Sequence, residues 1–148
     1  MHLYIDKAVK LPDGIGKLDS LQLLSSVGVS ISPNFAKELG HLTELRVLHM
    51  CLLGDTWHKS YEKPFVSSLC NLQKIHELDI GFNGALSTEF RSDLGWVPQH
   101  LHRFTRVNLS RLPRWMSCSL LSLSYLYIRV HRLGHQDVQN LGALPFLH

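Results

Sequence analysis

An α/β solenoid is the fold class this sequence predicts: short coils that each add one strand to a curved parallel sheet on the concave face, with an irregular or short helical outer side. Three observations predict it. An apolar residue recurs at every third position and is followed by one more two residues on, the shape L-x-x-L-x-x-L-x-L, and this shape returns along the whole chain. Successive copies lie 19 to 30 residues apart, well short of the roughly 33 or 34 expected of paired-helix repeats. The composition, 45% hydrophobic and 18% charged, belongs to a folded domain and not to a disordered chain.

Each element follows from the pattern. Leu3 and Ile5 read as the tail of one copy; Leu18, Leu21 and Leu24 form the next, with Ser26 in its last slot. Four nearly complete copies follow: Leu42, Leu45, Leu48 and Met50; Leu72, Ile75, Leu78 and Ile80; Leu101, Phe104, Val107 and Leu109; Leu120, Leu123, Leu126 and Ile128. Leu141, Leu144 and Leu147 begin another. With Leu3, Leu24, Leu48, Leu78, Val107, Leu126 and Leu147 equivalent, the steps are 21, 24, 30, 29, 19 and 21 residues. That is the period of a leucine-rich repeat, roughly 20 to 29 residues, and the two long steps need only larger outer loops. One of these is the insert Gly54 to Lys63, where Trp57 is expected on the surface. The whole of 1–148 reads as one leucine-rich-repeat domain of about five to seven repeats, incomplete at both ends.

Physically, a single coil cannot cover its own apolar face. At about 1.5–3 kcal/mol for each buried Leu or Ile, four anchors per coil offset chain entropy only when coils stack on both sides. Leucines at i and i+3 could also belong to amphipathic helices. The extra anchor at i+5, with Pro12, Pro64, Pro98 and Pro113, favours the coil.

In this register the strand residues beside the inward anchors point to the concave face, the usual recognition surface of a solenoid. The candidates are Tyr4 and Asp6; His49; Glu77 and Asp79; Arg106 and Asn108; and Tyr125, Tyr127 and Arg129. The acidic pair precedes Arg106 by one coil, so these three either meet a partner or pair across adjacent strands. Tyr125, Tyr127 and Arg129 form an aromatic and Arg cluster of the type enriched at interface hot spots. Trp115, after Pro113, reads as outer-side packing, and Asn83 as an amide that satisfies turn backbone groups.

Catalytic and metal chemistry find little support. The ten histidines include no His-Glu-x-x-His, and His131 and His135 straddle a Leu-Gly turn with no cysteine nearby. Cys51, Cys70 and Cys118 are odd in number and widely spaced; Cys70 and Cys118 precede anchors by two residues and are expected to pack at coil edges. No G-x-S-x-G elbow occurs. Gly14-Ile15-Gly16-Lys17 lacks the spacing of a phosphate loop and reads as a turn. No enzyme activity and no cofactor are expected. The net charge of +3 is too small to mark a dedicated nucleic-acid binder. It is unevenly spread: residues 99–148 carry six Arg against Asp137 alone. No apolar run reaches the roughly 20 residues of a membrane span, and no signal peptide is recognisable. A reducing cytoplasm suits the thiols.

Four stretches carry a family resemblance: Leu11-Pro12-Asp13-Gly14-Ile15-Gly16-Lys17-Leu18, Ser68-Leu69-Cys70-Asn71-Leu72, Leu112-Pro113-Arg114-Trp115-Met116, and the run from Asp137 to Leu147. Together they resemble the leucine-rich-repeat region of the nucleotide-binding disease resistance proteins of plants, grasses in particular. The resemblance implies a protein-interaction domain of an intracellular immune receptor, contributing to pathogen effector recognition and to autoinhibition in the defense response. Its implied partners are an effector or a host target, and the nucleotide-binding module of the same receptor. No phosphate loop occurs within these 148 residues, so on this reading the chain is a fragment of such a receptor or a truncated product. A free-standing leucine-rich-repeat scaffold or adaptor is the alternative.

Overall fold

The computed structural model describes residues 1–6, 11, 13–29, 32–52, 58–81, 98–112 and 122–144. Six strands, β1 (His2–Asp6), β2 (Leu23–Val29), β3 (Val47–Leu52), β4 (Glu77–Gly81), β5 (Arg103–Arg111) and β6 (Tyr125–Arg132), form one sheet in chain order. Every neighbouring pair is parallel, so the chain must travel back between strands, as a coil does. The described return paths hold a 3₁₀ turn (Ile15–Lys17), helix α1 (Pro33–Glu38) running into a second 3₁₀ turn (Leu39–His41), and helix α2 (Lys59–Cys70). α1 packs against both the first turn and α2, giving an outer layer opposite the sheet. Helix α3 (His135–Gly142) follows β6. This is the α/β leucine-rich-repeat solenoid that the spacing predicts.

The strand alternation is the expected one. In β3 and β4 the even-numbered anchors Leu48, Met50, Leu52, Leu78 and Ile80 are buried, while Val47, His49, Cys51, Glu77, Asp79 and Gly81 are partly exposed. Leu24, Leu48 and Leu78 stand in one register line with Leu3, also as expected.

The fifth strand corrects the sequence reading. Leu78 pairs with Phe104, not Val107, so the step is 26 residues, and Phe104 pairs with Leu126. A ladder of backbone hydrogen bonds just ahead of the strands agrees: Arg46 N–H donates to Gln22 O (2.8 Å), His76 N–H to Arg46 O (2.7 Å), His102 N–H to His76 O (2.7 Å) and Ser124 N–H to His102 O (3.0 Å). Val107 is nonetheless buried, because a bulge intervenes. Between Thr105 and Asn108 β5 advances three residues while β6 advances two, and Arg106 takes the left-handed conformation at φ 58°.

The outer side is held by side chains reaching between coils. Ser32 caps α1, its Oγ accepting from Phe35 N–H (3.1 Å) and donating to Asp13 Oδ1 (3.0 Å) in the preceding coil. Gly14, at φ 94°, opens the first 3₁₀ turn, and the turn's N–H groups do meet an anion: Gly14 and Gly16 both donate to Glu38 Oε2, at 2.8 and 3.4 Å. The phosphate-loop look-alike is thus a turn closed by a carboxylate of the next coil.

The insert Gly54 to Lys63 also needs correction. Residues from Lys59 on belong to α2, with Pro64 inside the helix and Glu62 buried. Proline in a helix interior costs about 3 kcal/mol; burial of Phe65, Val66 and Leu69 on one face offsets it. Trp57, Asn83, Trp115, Cys118 and the anchors Leu120 and Leu147 lie outside the described residues.

Candidate protein-binding surface

Two transverse rows of side chains cross the face of the sheet turned away from the core. In register, the first runs His2, Leu23, Val47, Glu77, Arg103 and Tyr125; the second runs Tyr4, Ser25, His49, Asp79, Thr105 and Tyr127. Adjacent members are about 4.8 Å apart in the hydrogen-bonding direction, so neighbours interact. Tyr4, His49, Glu77, Asp79, Tyr125 and Tyr127 of the predicted set therefore share this face. Asp6 ends β1 in register with Val27.

Polar side chains in the middle of the face are paired. His49 Nε2 lies 3.2 Å from Glu77 Oε2, with both side chains 37% exposed. Arg106 Nε donates to Asp79 Oδ1 at 2.5 Å. That hydrogen bond is the main reason the guanidinium is held still more firmly protonated than usual; burial opposes it. The Arg106 guanidinium also approaches Gly81, where an added Cβ would stand 3.7 Å from Nη1 and 4.0 Å from the Cys51 Sγ. These are ordinary contact distances, so the β5 side chain lies over β4 at Gly81 without depending on the missing Cβ.

The bulge explains how Arg106 reaches this place. Under the predicted register Asp79 would stand opposite Asn108; it stands opposite Thr105, and the extra residue turns Arg106 outward beside it. Asn108 stays half-exposed on the same side, in register with Arg129. Sequence reasoning missed Arg103 and Thr105. Both line a recess of about 220 Å³ together with His49, Glu77, Leu78 and Asp79. The signal that could have found them is Phe104, a bulky apolar residue flanked by polar neighbours.

At the C-terminal end Arg103 stacks over the Tyr125 ring, 4.7 Å from its centroid. Tyr125 and Tyr127 are 46% and 63% exposed, and Tyr4 at the other end is 70% exposed. Arg129 is exposed. Among the described residues no three potential ligands converge as a metal site would require. Cys70 is buried as expected, and burial pushes its thiol up to about 11, so it is protonated at neutral pH.

A second group of titratable residues sits where the strands begin. His76 packs against His102 (ring centroids 5.5 Å apart) and His100 (5.9 Å). Burial, then the nearby His102, Arg46 and His100, push the His76 imidazole below its ordinary range, with Glu77 acting weakly the other way.

The chain is similar to known proteins throughout. The profile of a family described as a leucine-rich repeat region matches residues 1–148. Disease resistance protein RGA5 of Oryza sativa subsp. japonica is 30% identical over 159 aligned residues, covering 99% of this chain. The chain spans 14% of that relative's length. With the profile matching from the first strand to the last helix, the chain belongs to the leucine-rich-repeat family, and over nearly all of its length it is similar to part of a plant disease resistance protein.

Proposed function

We propose that this solenoid is the protein-binding part of an intracellular plant immune receptor, working in the cytoplasm to recognise a pathogen effector or a host target and to hold a nucleotide-binding module inactive. The observation that carries the reading is the sheet face itself. It presents a half-buried recess bordered by Glu77, Asp79, Arg103 and His49, between exposed tyrosines at both ends. A face of this make-up suits protein recognition, with aromatic anchors for affinity and fixed charges for orientation. No described helix is long and apolar enough to cross a membrane.

The test is to invert the central charges together, Glu77→Lys, Asp79→Lys and Arg106→Glu. The cross-strand pair between positions 79 and 106 survives with its signs exchanged, and an unaltered melting temperature shows that the variant is folded. Association of the full chain with the nucleotide-binding module of a related receptor, measured by calorimetry, is expected to weaken by about tenfold or more. Unchanged association overturns the assignment of this face.

A further inference from the structure

Every joint between neighbouring coils is made in the same way. Ahead of each strand, the N–H groups of two successive residues donate to one carbonyl of the coil before. Gln22 and Leu23 donate to Met1 O, Arg46 and Val47 to Gln22 O, His76 and Glu77 to Arg46 O, His102 and Arg103 to His76 O, and Ser124 and Tyr125 to His102 O. Ser124 O is the next acceptor in this series, and among the described residues nothing donates to it. The strands repeat the situation. β1 and β6 are the two edges of the sheet, each paired on one side only among the described strands, and such an edge presents N–H and C=O groups to any strand that can add to it. The apolar interior is open at the same two places. Leu24, Leu48, Leu78 and Phe104 are buried in the core row, whereas Leu3 and Leu126 at its ends are only partly covered, as are Ile5 and Ile128. Leu133 and Val138, just beyond β6, are more than half exposed. The end coils of a soluble solenoid otherwise turn a polar outer side to water.

We propose that the β6 edge of one molecule receives the β1 edge of a second copy in parallel, so that copies join head to tail as one longer solenoid. The inference concerns the edges of the sheet and goes beyond the reading of its face. Carrying the observed register one strand further identifies the occupant. The rows that end at Tyr125, Leu126 and Tyr127 begin at His2, Leu3 and Tyr4. The next strand in line therefore sets Leu3 of the second copy beside Leu126, Tyr4 beside Tyr127, Ile5 beside Ile128 and Asp6 beside Arg129. Each neighbour suits the other. Two aliphatic pairs close the core, two exposed tyrosines meet as a cross-strand aromatic pair, and opposite charges stand side by side at the strand end. The His2 N–H of the second copy becomes the donor that Ser124 O lacks. Two β6 edges fit each other less well: Arg129, His131 and Arg132 would meet their own kind, with no Asp or Glu in the strand. Because β1 and β6 are different surfaces, each joint leaves one of each free, and growth does not stop at a dimer.

The experiment is sedimentation velocity on the full chain over a wide range of concentration. The weight-average mass is expected to rise with concentration and to pass that of a dimer. Asp6→Arg alone, or Arg129→Asp alone, sets like charges against each other at the joint and weakens association by about tenfold or more. Tyr4→Ala weakens it by about threefold to tenfold. An equimolar mixture of the two charge variants is expected to recover association, since each then offers the other a complementary edge. A variant that had failed to fold could not be recovered in this way. A chain that stays monomeric at every concentration overturns the proposal, as does a mixture no more associated than its parts. Association that Arg129→Asp leaves unchanged would mean β1 pairing with itself, and association that Asp6→Arg leaves unchanged would mean β6 pairing with itself; either overturns it too.

Discussion

The hydroxyl of Ser26 is buried in the core row between Ile5 and Met50 and has no hydrogen-bond partner among the described residues. An unpaired buried donor costs about 1–3 kcal/mol. Ser26→Ala is therefore expected to stabilise the chain by about 1 kcal/mol, seen as a higher urea midpoint; a lower midpoint would mean the hydroxyl is satisfied after all. His76 supplies a pH effect of known sign. Its ordinary pKa is 6.5, and in the folded chain burial and its cationic neighbours hold it lower. Between the two values the unfolded chain binds more protons than the folded one, so this contribution is complete above about 6.5 and is lost as pH falls from there through the lower value of the folded chain. His76→Gln should flatten the drop in stability between neutral and mildly acidic pH, measured by urea titration at each pH. Some residues were legible by type and position alone: Tyr4, His49, Glu77, Asp79, Tyr125 and Tyr127 follow from alternation beside a leucine anchor. Arg103 and Thr105 were not, because the anchor between them is a phenylalanine and a more leucine-like frame lies three residues on.

At the scale of elements, the coils stack through one small position in each outer turn. Ile15-Gly16-Lys17-Leu18 and Leu39-Gly40-His41-Leu42 are equivalent 3₁₀ turns. A Cβ on Gly16 would come within 3.2 Å of the Glu38 backbone oxygen, and one on Gly40 within 3.2 Å of the Ser68 Cα. Each glycine is thus the contact point with the coil that follows. Gly40→Val must push α2 away from the second turn, and a cost of about 2–3 kcal/mol is expected from overpacking, read as an earlier denaturant midpoint. No change in the midpoint would show that the outer layer yields freely. The strands were readable because their anchors repeat, whereas α2 was hidden by Pro64, a residue that argues against helix in isolation. Packing decided the matter: Phe65, Val66 and Leu69 fill the space beneath the helix, and local propensity gave way.

For the molecule as a whole, Leu78 is the centre of the stack, buried and in register with Leu48 on one side and Phe104 on the other. Leu78→Asp places a carboxylate where no partner reaches it, a cost of at least about 4 kcal/mol, against a total stability of about 5–15 kcal/mol typical of domains. Because every coil leans on its neighbours, the cooperative thermal transition seen by circular dichroism is expected to disappear, not merely shift. An unchanged transition would refute the register at β4. The solenoid itself was legible throughout, since period and anchors need no knowledge of the outer side. What stayed hidden was the single added residue at Arg106, which leaves no mark in composition and shifts which anchors appear to repeat.

That added residue shows where a strand, like the outer loops, can change in length. The outer paths differ by several residues from coil to coil, yet the register line from Leu3 to Leu126 is unbroken. Within β5, however, position is a matter of parity. Arg103 faces outward before the bulge, and Asn108 and Ser110 do so after it, while Phe104, Val107 and Leu109 are buried. Removing Arg106 would restore strict alternation from Arg103 onward and leave Val107 and Leu109 inward, whereas removing one residue between Val107 and Arg111 would reverse the faces of those that follow it. Insertions and deletions can accumulate on the convex side with little effect, and the bulge is the one point in β5 where the strand too can lose a residue without exchanging its interior for its surface.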